Sequence, residues 1–175
     1  MSETSNVGAQ VTTLPLTVNL QYIKDLSFEV PAGPQIFTQL RSAPQVAINM
    51  DVQARRLQDA QPVFEVALVV RAEATLPASG NGQEATPTKQ VVFIAELTYA
   101  GIFTLGQLPD NAVEPVLLVE CPRLLFPFAR NIVSDLTRDG GFPPVMLAPI
   151  DFVALWQSRR AQSGASPIVP APSLV

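Results

Sequence analysis

The chain has 175 residues and a net charge of −4 at pH 7, with 11 lysines and arginines against 15 aspartates and glutamates. This balance argues against binding to a nucleic-acid backbone, which needs clustered cations, although it permits a basic protein partner. The chain has one cysteine and no histidine. That excludes an internal disulfide, histidine-dependent nucleophilic catalysis and most zinc sites.

The two ends of the chain differ in composition from its centre. We expect disordered tails at 1–14, which is polar, and at 162–175, which is rich in proline, alanine and serine. Residues 15–161 then form a single domain. The N-terminus lacks the basic-then-apolar order of a signal peptide, and no apolar run reaches the roughly 18 residues of a membrane span. We therefore expect a cytoplasmic protein without direct membrane insertion.

The first predicted element is a long strand. Residues 16–30, LTVNLQYIKDLSFEV, alternate between apolar and polar side chains, which is typical of a strand with one buried face. The apolar positions of one parity are Leu16, Val18, Leu20, Tyr22, Leu26, Phe28 and Val30. Ile23 is an apolar residue on the otherwise polar face, and Lys24 is a polar residue on the otherwise apolar face.

This strand is long for a chain of this size. Fifteen residues span roughly 50 Å at about 3.3 Å each, whereas a compact monomer is about 40 Å across. The strand must bend or extend into a neighbouring subunit, and we favour the second, because an exposed strand invites pairing.

Three more strands follow a long crossing loop at 31–44, which contains three prolines and a glycine. They are predicted at 45–53, 63–74 and 90–100, and the composition of 76–89 indicates a hairpin loop. In the last strand Phe93, Ala95, Leu97 and Tyr99 are expected to face the core, and Ile94, Glu96 and Thr98 to face outward.

Two helical regions complete the predicted domain. We expect a helix over 111–120, a break at Cys121–Pro122, and a second helix over 123–138 that ends before Gly140 and Gly141. Its apolar stripe is predicted at Leu125, Phe128, Ile132 and Leu136. Asp151 is expected to cap a last helix over 152–162.

Strands followed by helices predict an α+β fold, a four-stranded antiparallel sheet with helices packed on one face. Cys121 has no nearby cysteine or histidine, so a buried structural thiol is favoured over a metal or redox site. No glycine-rich phosphate loop is present, and no cofactor is expected. Asp25, Glu29 and Glu96 are open to three interpretations: an acid–base site, a partner-binding patch or a solvated face.

Three stretches of the chain carry a specific combination of motifs: YIKDLSFEVPAGPQIF (22–37), GIFTL (101–105) and CPRLLFPFARNIVSDLTRDGGFPPVMLAPIDFVAL (121–155). Together they resemble the SecB family of bacterial protein-export chaperones, and the resemblance covers about 16–157. It implies a homotetramer, a dimer of dimers in which four-stranded sheets join into eight-stranded ones. It also implies a holdase that binds unfolded preproteins without ATP and delivers them to the export motor SecA.

The resemblance implies roles for individual residues as well. Client binding is implied for Tyr22, Phe28, Phe37 and Leu155, with Trp156 as a local candidate. SecA docking is implied for Asp25, Glu29, Ile94 and Glu96. A subunit interface is implied for the helix that carries Leu125, Phe128 and Ile132.

Two features depart from the family pattern. The crossing loop has no tryptophan, and the C-terminal stretch SRRAQSGASPIVPAPSLV (158–175) has two arginines but no acidic residue, so the tail is not expected to dock on SecA. The alternatives are a general or toxin–antitoxin-associated holdase of the same fold without motor targeting, and an enzyme that uses the carboxylates.

Overall fold

The computed structural model describes residues 15–76, 89–163 and 168–169. Its sheet contains β1 (Leu16–Glu29), β2 (Gln45–Arg56), β3 (Val63–Leu76), β4 (Gln90–Leu105) and β5 (Ile168–Val169). The spatial order is β1-β4-β3-β2-β5. The first four strands pair antiparallel, while β5 lies parallel to β2. The predicted four-stranded antiparallel sheet is confirmed.

The helical elements are α1 (Gln35–Gln39), α2 (Asp110–Pro115), a π-helical turn (Val116–Glu120), α3 (Cys121–Asp139) and α4 (Phe152–Ser163). Helix α3 packs on β3 and β4. We call the side of the sheet that it covers the helix face and the opposite side the outer face. The predicted α+β arrangement, with helices on one face of the sheet, is therefore confirmed.

The central strands supply most of the core, and their predicted faces are confirmed. In β4 Phe93, Ala95, Leu97 and Tyr99 are buried, and in β3 every second side chain from Phe64 to Val70 is buried. Register pairs Leu97 with Val70 and Tyr99 with Leu68, so these side chains share the helix face. The predicted outward positions of β4 are half-buried.

Strand β1 departs from the predicted pattern. Two β-bulges interrupt its pairing with β4, one between Val18 and Leu20 and one between Ile23 and Asp25. Each bulge adds a residue and exchanges the faces of the side chains that follow it. Leu20 and Tyr22 therefore lie on the outer face, while Ile23 lies on the helix face. The predicted single apolar face is wrong in this section.

The bulges also answer the question of the strand's length. They bend β1, which pairs with β4 of its own chain from Leu16 to Glu29. Because β4 has 16 residues against 14 in β1, the whole of β1 has a partner within the chain. The favoured alternative, in which this strand extends into a neighbouring subunit, stays a prediction.

The helical region from Asp110 to Asp139 is continuous, so the predicted break at Cys121–Pro122 is wrong. The five residues before Cys121 form a π-helical turn, in which the amide of Cys121 donates to the carbonyl of Val116. A wider turn at this point accommodates the missing donor and the ring of Pro122 without ending the helix. Pro127 lies inside α3 as well.

The buried stripe of α3 differs from the predicted one. It contains Leu125, Ala129, Val133 and Thr137, spaced four residues apart, whereas Phe128 is 49% exposed. The prediction followed the largest apolar side chains. The structure buries Leu125 as predicted, but otherwise buries Ala129, Val133 and Thr137, which are smaller than Phe128 and let the helix approach β4 closely.

The last helix begins as predicted. Oδ1 of Asp151 accepts hydrogen bonds from the amides of Val153 and Ala154, both at 3.0 Å, which confirms its capping role. The crossing loop, by contrast, contains the short helix α1, which was not predicted. The predicted N-terminal tail, most of the 76–89 loop and most of the C-terminal tail lie outside the described residues.

Candidate functional surfaces

Four phenylalanines from separate parts of the chain form an aromatic cluster at one end of the sheet. Phe28 comes from β1, Phe37 from α1, Phe93 from β4 and Phe142 from the segment after α3. Phe142 lies at the centre, with ring centroids 5.1 Å from Phe37, 4.9 Å from Phe93 and 6.1 Å from Phe28. Phe37 remains 47% exposed, so the cluster offers an open apolar surface.

Two glycines allow the chain to pass close to this cluster. A Cβ on Gly140 would lie 2.3 Å from Cε1 of Phe28. Gly141 has a φ of 88°, a conformation that residues with a side chain rarely adopt, and it faces the ring of Phe37. The sequence pair GG therefore does more than end α3, because it makes room for both rings.

Tyr22 does not join the aromatic cluster. It lies on the outer face, where its hydroxyl donates to Glu65 of β3. Glu65 also binds Lys24 and Arg55, each at 2.7 Å, and is only 4% exposed. Burial raises the pKa of Glu65, but the hydrogen bonds from Lys24, Tyr22 and Arg55 outweigh it and lower that pKa to about 2.

The two client-binding candidates of α4 lie away from both the aromatic cluster and the Glu65 network. Leu155 and Trp156 pack against the larger core cluster, which includes the π-helical turn, and the aromatic cluster belongs to a separate one. The indole of Trp156 donates to Glu114 at 3.0 Å. A cavity of about 430 Å³ beside Trp156 is lined mainly by apolar residues of α2 and the turn.

The structure brings the four candidate docking residues together. Register places Glu29 opposite Ile94, Ser27 opposite Glu96 and Asp25 opposite Thr98. The acidic side chains therefore share the outer face at one end of β1 and β4. Arg71 of β3 pairs with Glu96 and, at 3.0 Å, with Glu73. The outer-face patch consists of Asp25, Glu29, Glu73, Glu96 and Ile94 with one arginine, and it is acidic overall.

An apolar surface runs beside α3 on the helix face of β1. Register places Val18, Ile23 and Leu26 on this face, and all three are exposed, as are Leu124 and Phe128 on the helix. Phe128 stacks against Tyr99 with ring centroids 6.0 Å apart. We call these five exposed residues the β1–α3 surface.

Only one of the three predicted interface residues belongs to the β1–α3 surface. Phe128 belongs to it, Ile132 is half-buried, and Leu125 is 0% exposed in the chain's own core, where it has no surface to offer a partner.

Cys121 is fully buried at the start of α3. Burial raises the pKa of its thiol to about 12, and the charge of Glu120 adds to the effect. A thiol in this environment stays protonated, which agrees with a structural role. Among the described residues no three acidic or cysteine side chains are grouped so as to hold a metal ion.

Three residues that help to form these surfaces were missed in the sequence. Phe142, Glu65 and Arg71 each lie in stretches recognised as connector or strand, but their partners are far away in the chain. The signal for Glu65 was available, since a lone acid sits in the apolar run VFEVALVV. A buried acid in such a run requires cationic partners.

Comparisons with known proteins identify the family. Residues 9–163 match the family described as preprotein translocase subunit SecB. The chain is 66% identical to the protein-export protein SecB of Acidiphilium cryptum over 90% of this chain and 96% of that one. It is 62% identical to protein-export protein SecB 1 of Gluconobacter oxydans, over 90% and 89% of the two chains.

A solved structure supports the same fold. The SecB-like chaperone of Mycobacterium tuberculosis, in complex with a ChAD peptide from an antitoxin, matches with a TM-score of 0.59. The match covers 78% of this chain and 91% of that one at 14% identity.

The fold is that of a SecB-like protein, and the chain has open apolar surfaces and an acidic sheet face. The chain belongs to the SecB family, and its role is that of a SecB protein-export chaperone. No helix among the described residues is long and apolar enough to cross a membrane.

Proposed function

We propose that the chain is a cytoplasmic holdase that binds unfolded preproteins at the aromatic cluster and delivers them to SecA. The observation that carries the proposal is Phe37, which stacks on Phe142 yet keeps 47% of its surface exposed. Rings that are already ordered lose little conformational entropy when an apolar client segment covers them. Such burial is non-directional, so it selects unfolded segments rather than one sequence.

The proposed client surface extends beyond this cluster. Trp156 borders the apolar cavity near the π-helical turn, and we assign it, together with the adjacent Leu155, a second contact for the same extended client. Tyr22 is not part of our proposed client surface, because its hydroxyl and ring belong to the Glu65 network on the outer face. Several weak contacts along one long client add avidity without a strong single site.

We assign SecA docking to the outer-face patch. Its acidic side chains surround the apolar Ile94, which combines long-range attraction for a basic partner with a small hydrophobic contact. The patch and the aromatic cluster belong to different faces of the sheet, so client and motor can be bound together. Docking at exposed charges should weaken as salt is raised.

We assign subunit contacts to the β1–α3 surface. Its exposed side chains lie along β1, an edge strand of the sheet, and beside α3. Joining two such edges produces an eight-stranded sheet, and covering the adjacent helix face produces a dimer of dimers. The proposed assembly is a homotetramer in which α3 lies between the sheets.

The alternative is a holdase of the same fold without motor targeting. The observation that favours it is the structural similarity to a SecB-like chaperone that was solved with an antitoxin peptide. The acidic outer-face patch favours the export role instead, because client holding alone has no need of it.

The client surface is tested by Phe37→Ser. Loss of the exposed ring should weaken binding of an unfolded precursor about tenfold, which corresponds to roughly 1.4 kcal/mol. Fluorescence anisotropy of a labelled precursor measures the affinity. Met146→Ser is the matched control, because Met146 is also apolar and exposed but lies outside the aromatic cluster. Equal affinities for both variants and the original chain would contradict the assignment.

The docking surface is tested by Glu29→Lys combined with Glu96→Lys. The double variant should bind client normally and lose most of its affinity for SecA, measured by calorimetry. Asp59→Lys with Asp135→Lys makes the same change in net charge away from the patch and should dock normally. A double variant that loses client binding but docks on SecA would reverse the assignment of the two faces.

A further inference from the structure

The two edges of the sheet differ in how they are protected. Strand β1 carries two bulges and the charged side chains Lys24, Asp25 and Glu29. Strand β2 pairs with β3 from Gln45 to Arg56 without a register shift. Bulges and charges are the usual means by which an edge strand avoids pairing with another chain, and β2 has neither between Gln45 and Met50.

The edge of β2 is also apolar on the helix face. Val46 and Ile48 lie on this face by register, and they are 38% and 37% exposed. An extended segment added beside β2 would gain backbone hydrogen bonds and would cover these side chains with its own alternate residues. Within the described residues β2 has one strand partner on this side, β5, which pairs only at Ala54 and Arg55.

The partner strand belongs to the C-terminal tail of the same chain. In the sequence SPIVPAP, Ile168 and Val169 stand between Pro167 and Pro170. Proline has no amide hydrogen to donate, so the flanking residues limit how far β5 can extend its pairing. A two-residue strand is only weakly bound. A longer client segment that pairs at Ala54 and Arg55 can continue along β2 towards Gln45 once it also replaces the guanidinium of Arg159, which donates to the carbonyl of Val52.

We propose that the proline-flanked Ile168–Val169 strand is a displaceable internal competitor, which occupies the end of the β2 edge until an extended client segment pairs there and releases it. This inference rests on the proposed holdase function and adds regulation to it. The tail reduces binding of segments that cannot form a long run of strand pairing. For a segment that must pair at Ala54 and Arg55, the apparent affinity equals the intrinsic affinity multiplied by the fraction of time for which this end of the edge is free.

The test replaces both strand residues in the full chain, Ile168→Pro with Val169→Pro. The probe is a short fluorescein-labelled peptide of alternating valine and threonine, and its binding is followed by anisotropy. The variant should bind the peptide about fivefold more tightly than the original chain, because its tail can no longer pair with β2. Ser173→Pro with Leu174→Pro places the same two prolines outside β5 and should leave the affinity unchanged.

A second peptide separates strand pairing from other binding. It has the same side chains but is N-methylated at two residues of opposite parity, so both of its edges lose a donor. This peptide should bind the original chain and the proline variant equally. Addition of the unmodified peptide to the original chain should also speed hydrogen exchange at the amides of Ile168 and Val169.

The outcomes are distinct. Equal binding of the unmodified peptide by the original chain and the variant would overturn the competitor role and leave the holdase function standing. A fivefold gain that the N-methylated peptide shares would also overturn it, because the tail would then be blocking something other than strand pairing. Failure of every form to bind either peptide or an unfolded precursor would contradict the holdase function as well.

Discussion

At the scale of single residues, two positions show how the fold accommodates a buried charge and a tightly packed ring. Glu65 is the one charged residue among the buried residues that the structure describes. Its burial is offset by three donors, two of them cationic. At Gly140 the constraint is space, because the ring of Phe28 occupies the volume that a side chain would need.

Replacement of Glu65 by glutamine should lower the free energy of unfolding by about 1–3 kcal/mol at pH 7, because Lys24 and Arg55 lose their shared counter-charge. Urea unfolding measures the change. In the folded chain the pKa of Glu65 is about 2, below its ordinary value of 4.5. Its contribution is therefore complete above pH 5 and is lost as the pH falls towards 2.

The difference between the original chain and Glu65→Gln should accordingly shrink over that pH range. Tyr22→Phe serves as the control, because it removes one hydrogen bond and keeps the carboxylate, and it should cost about 1 kcal/mol. A difference that is constant from pH 7 to pH 3 would show that the ionised carboxylate is not what stabilises the fold.

Gly140→Ala should disturb the aromatic cluster without straining its own backbone, because φ at this position is −71°. The added methyl group forces the ring of Phe28 away from Phe93 and Phe142, at a cost of about 1–3 kcal/mol in stability. Client affinity should fall with it. Phe28→Leu in the same chain should restore part of the stability, and the absence of any such coupling in a double-mutant cycle would contradict the proposed clash.

At the scale of elements, local signals predicted the kind of each element better than its orientation. The alternation in 45–53, 63–74 and 90–100 identified three strands, and each is longer in the structure. Pro122 predicts a break in the helix because proline usually interrupts one, but a π-helical turn before it keeps the helix continuous. The bulges of β1 arise from pairing with β4, and alternation within one strand does not contain them.

Asp151→Ala should loosen α4 specifically. Two amides at the start of the helix lose their acceptor, which costs about 1 kcal/mol. Hydrogen exchange should become faster across the first turn of α4 and remain unchanged in β3. Asp135→Ala, in the exposed part of α3, is the control and should leave α4 protected. Equal effects of the two changes would mean that the cap does not stabilise the helix.

At the scale of the whole molecule, the sheet separates the two surfaces that we propose for client binding and for motor docking. The outer face carries the acidic patch, while the aromatic cluster and the β1–α3 surface belong to the helix face. A single chain leaves five large apolar side chains of the β1–α3 surface exposed, which favours self-association. The family relationship and the fold were both accessible from sequence motifs, but the layout of these surfaces was not.

Phe128→Asp should reduce the size of the assembly, because a carboxylate would have to be buried against the partner's apolar surface. Light scattering coupled to size-exclusion chromatography should give about four chains for the original protein and fewer for the variant. Val133→Ala, on the buried stripe of the same helix, should lower stability by about 2 kcal/mol and keep the assembly intact. Loss of assembly in Val133→Ala alone would contradict the proposed surface.

The sequence by itself determined the features that depend on near neighbours along the chain. The period of two predicted the strands, the Asp151 carboxylate predicted a helix start, and the order of elements predicted the fold class. The quoted motifs around Phe28, Phe37 and Phe142 indicated the family.

Only the tertiary structure decided which residues meet across long separations. It brought Phe37 to Phe142, gathered Tyr22 and Lys24 around Glu65, and chose the small residues of α3 over Phe128 for the core. These outcomes depend on register, on the two bulges and on the space between packed elements. Such properties arise when distant segments pack together, so no local pattern in the sequence contains them.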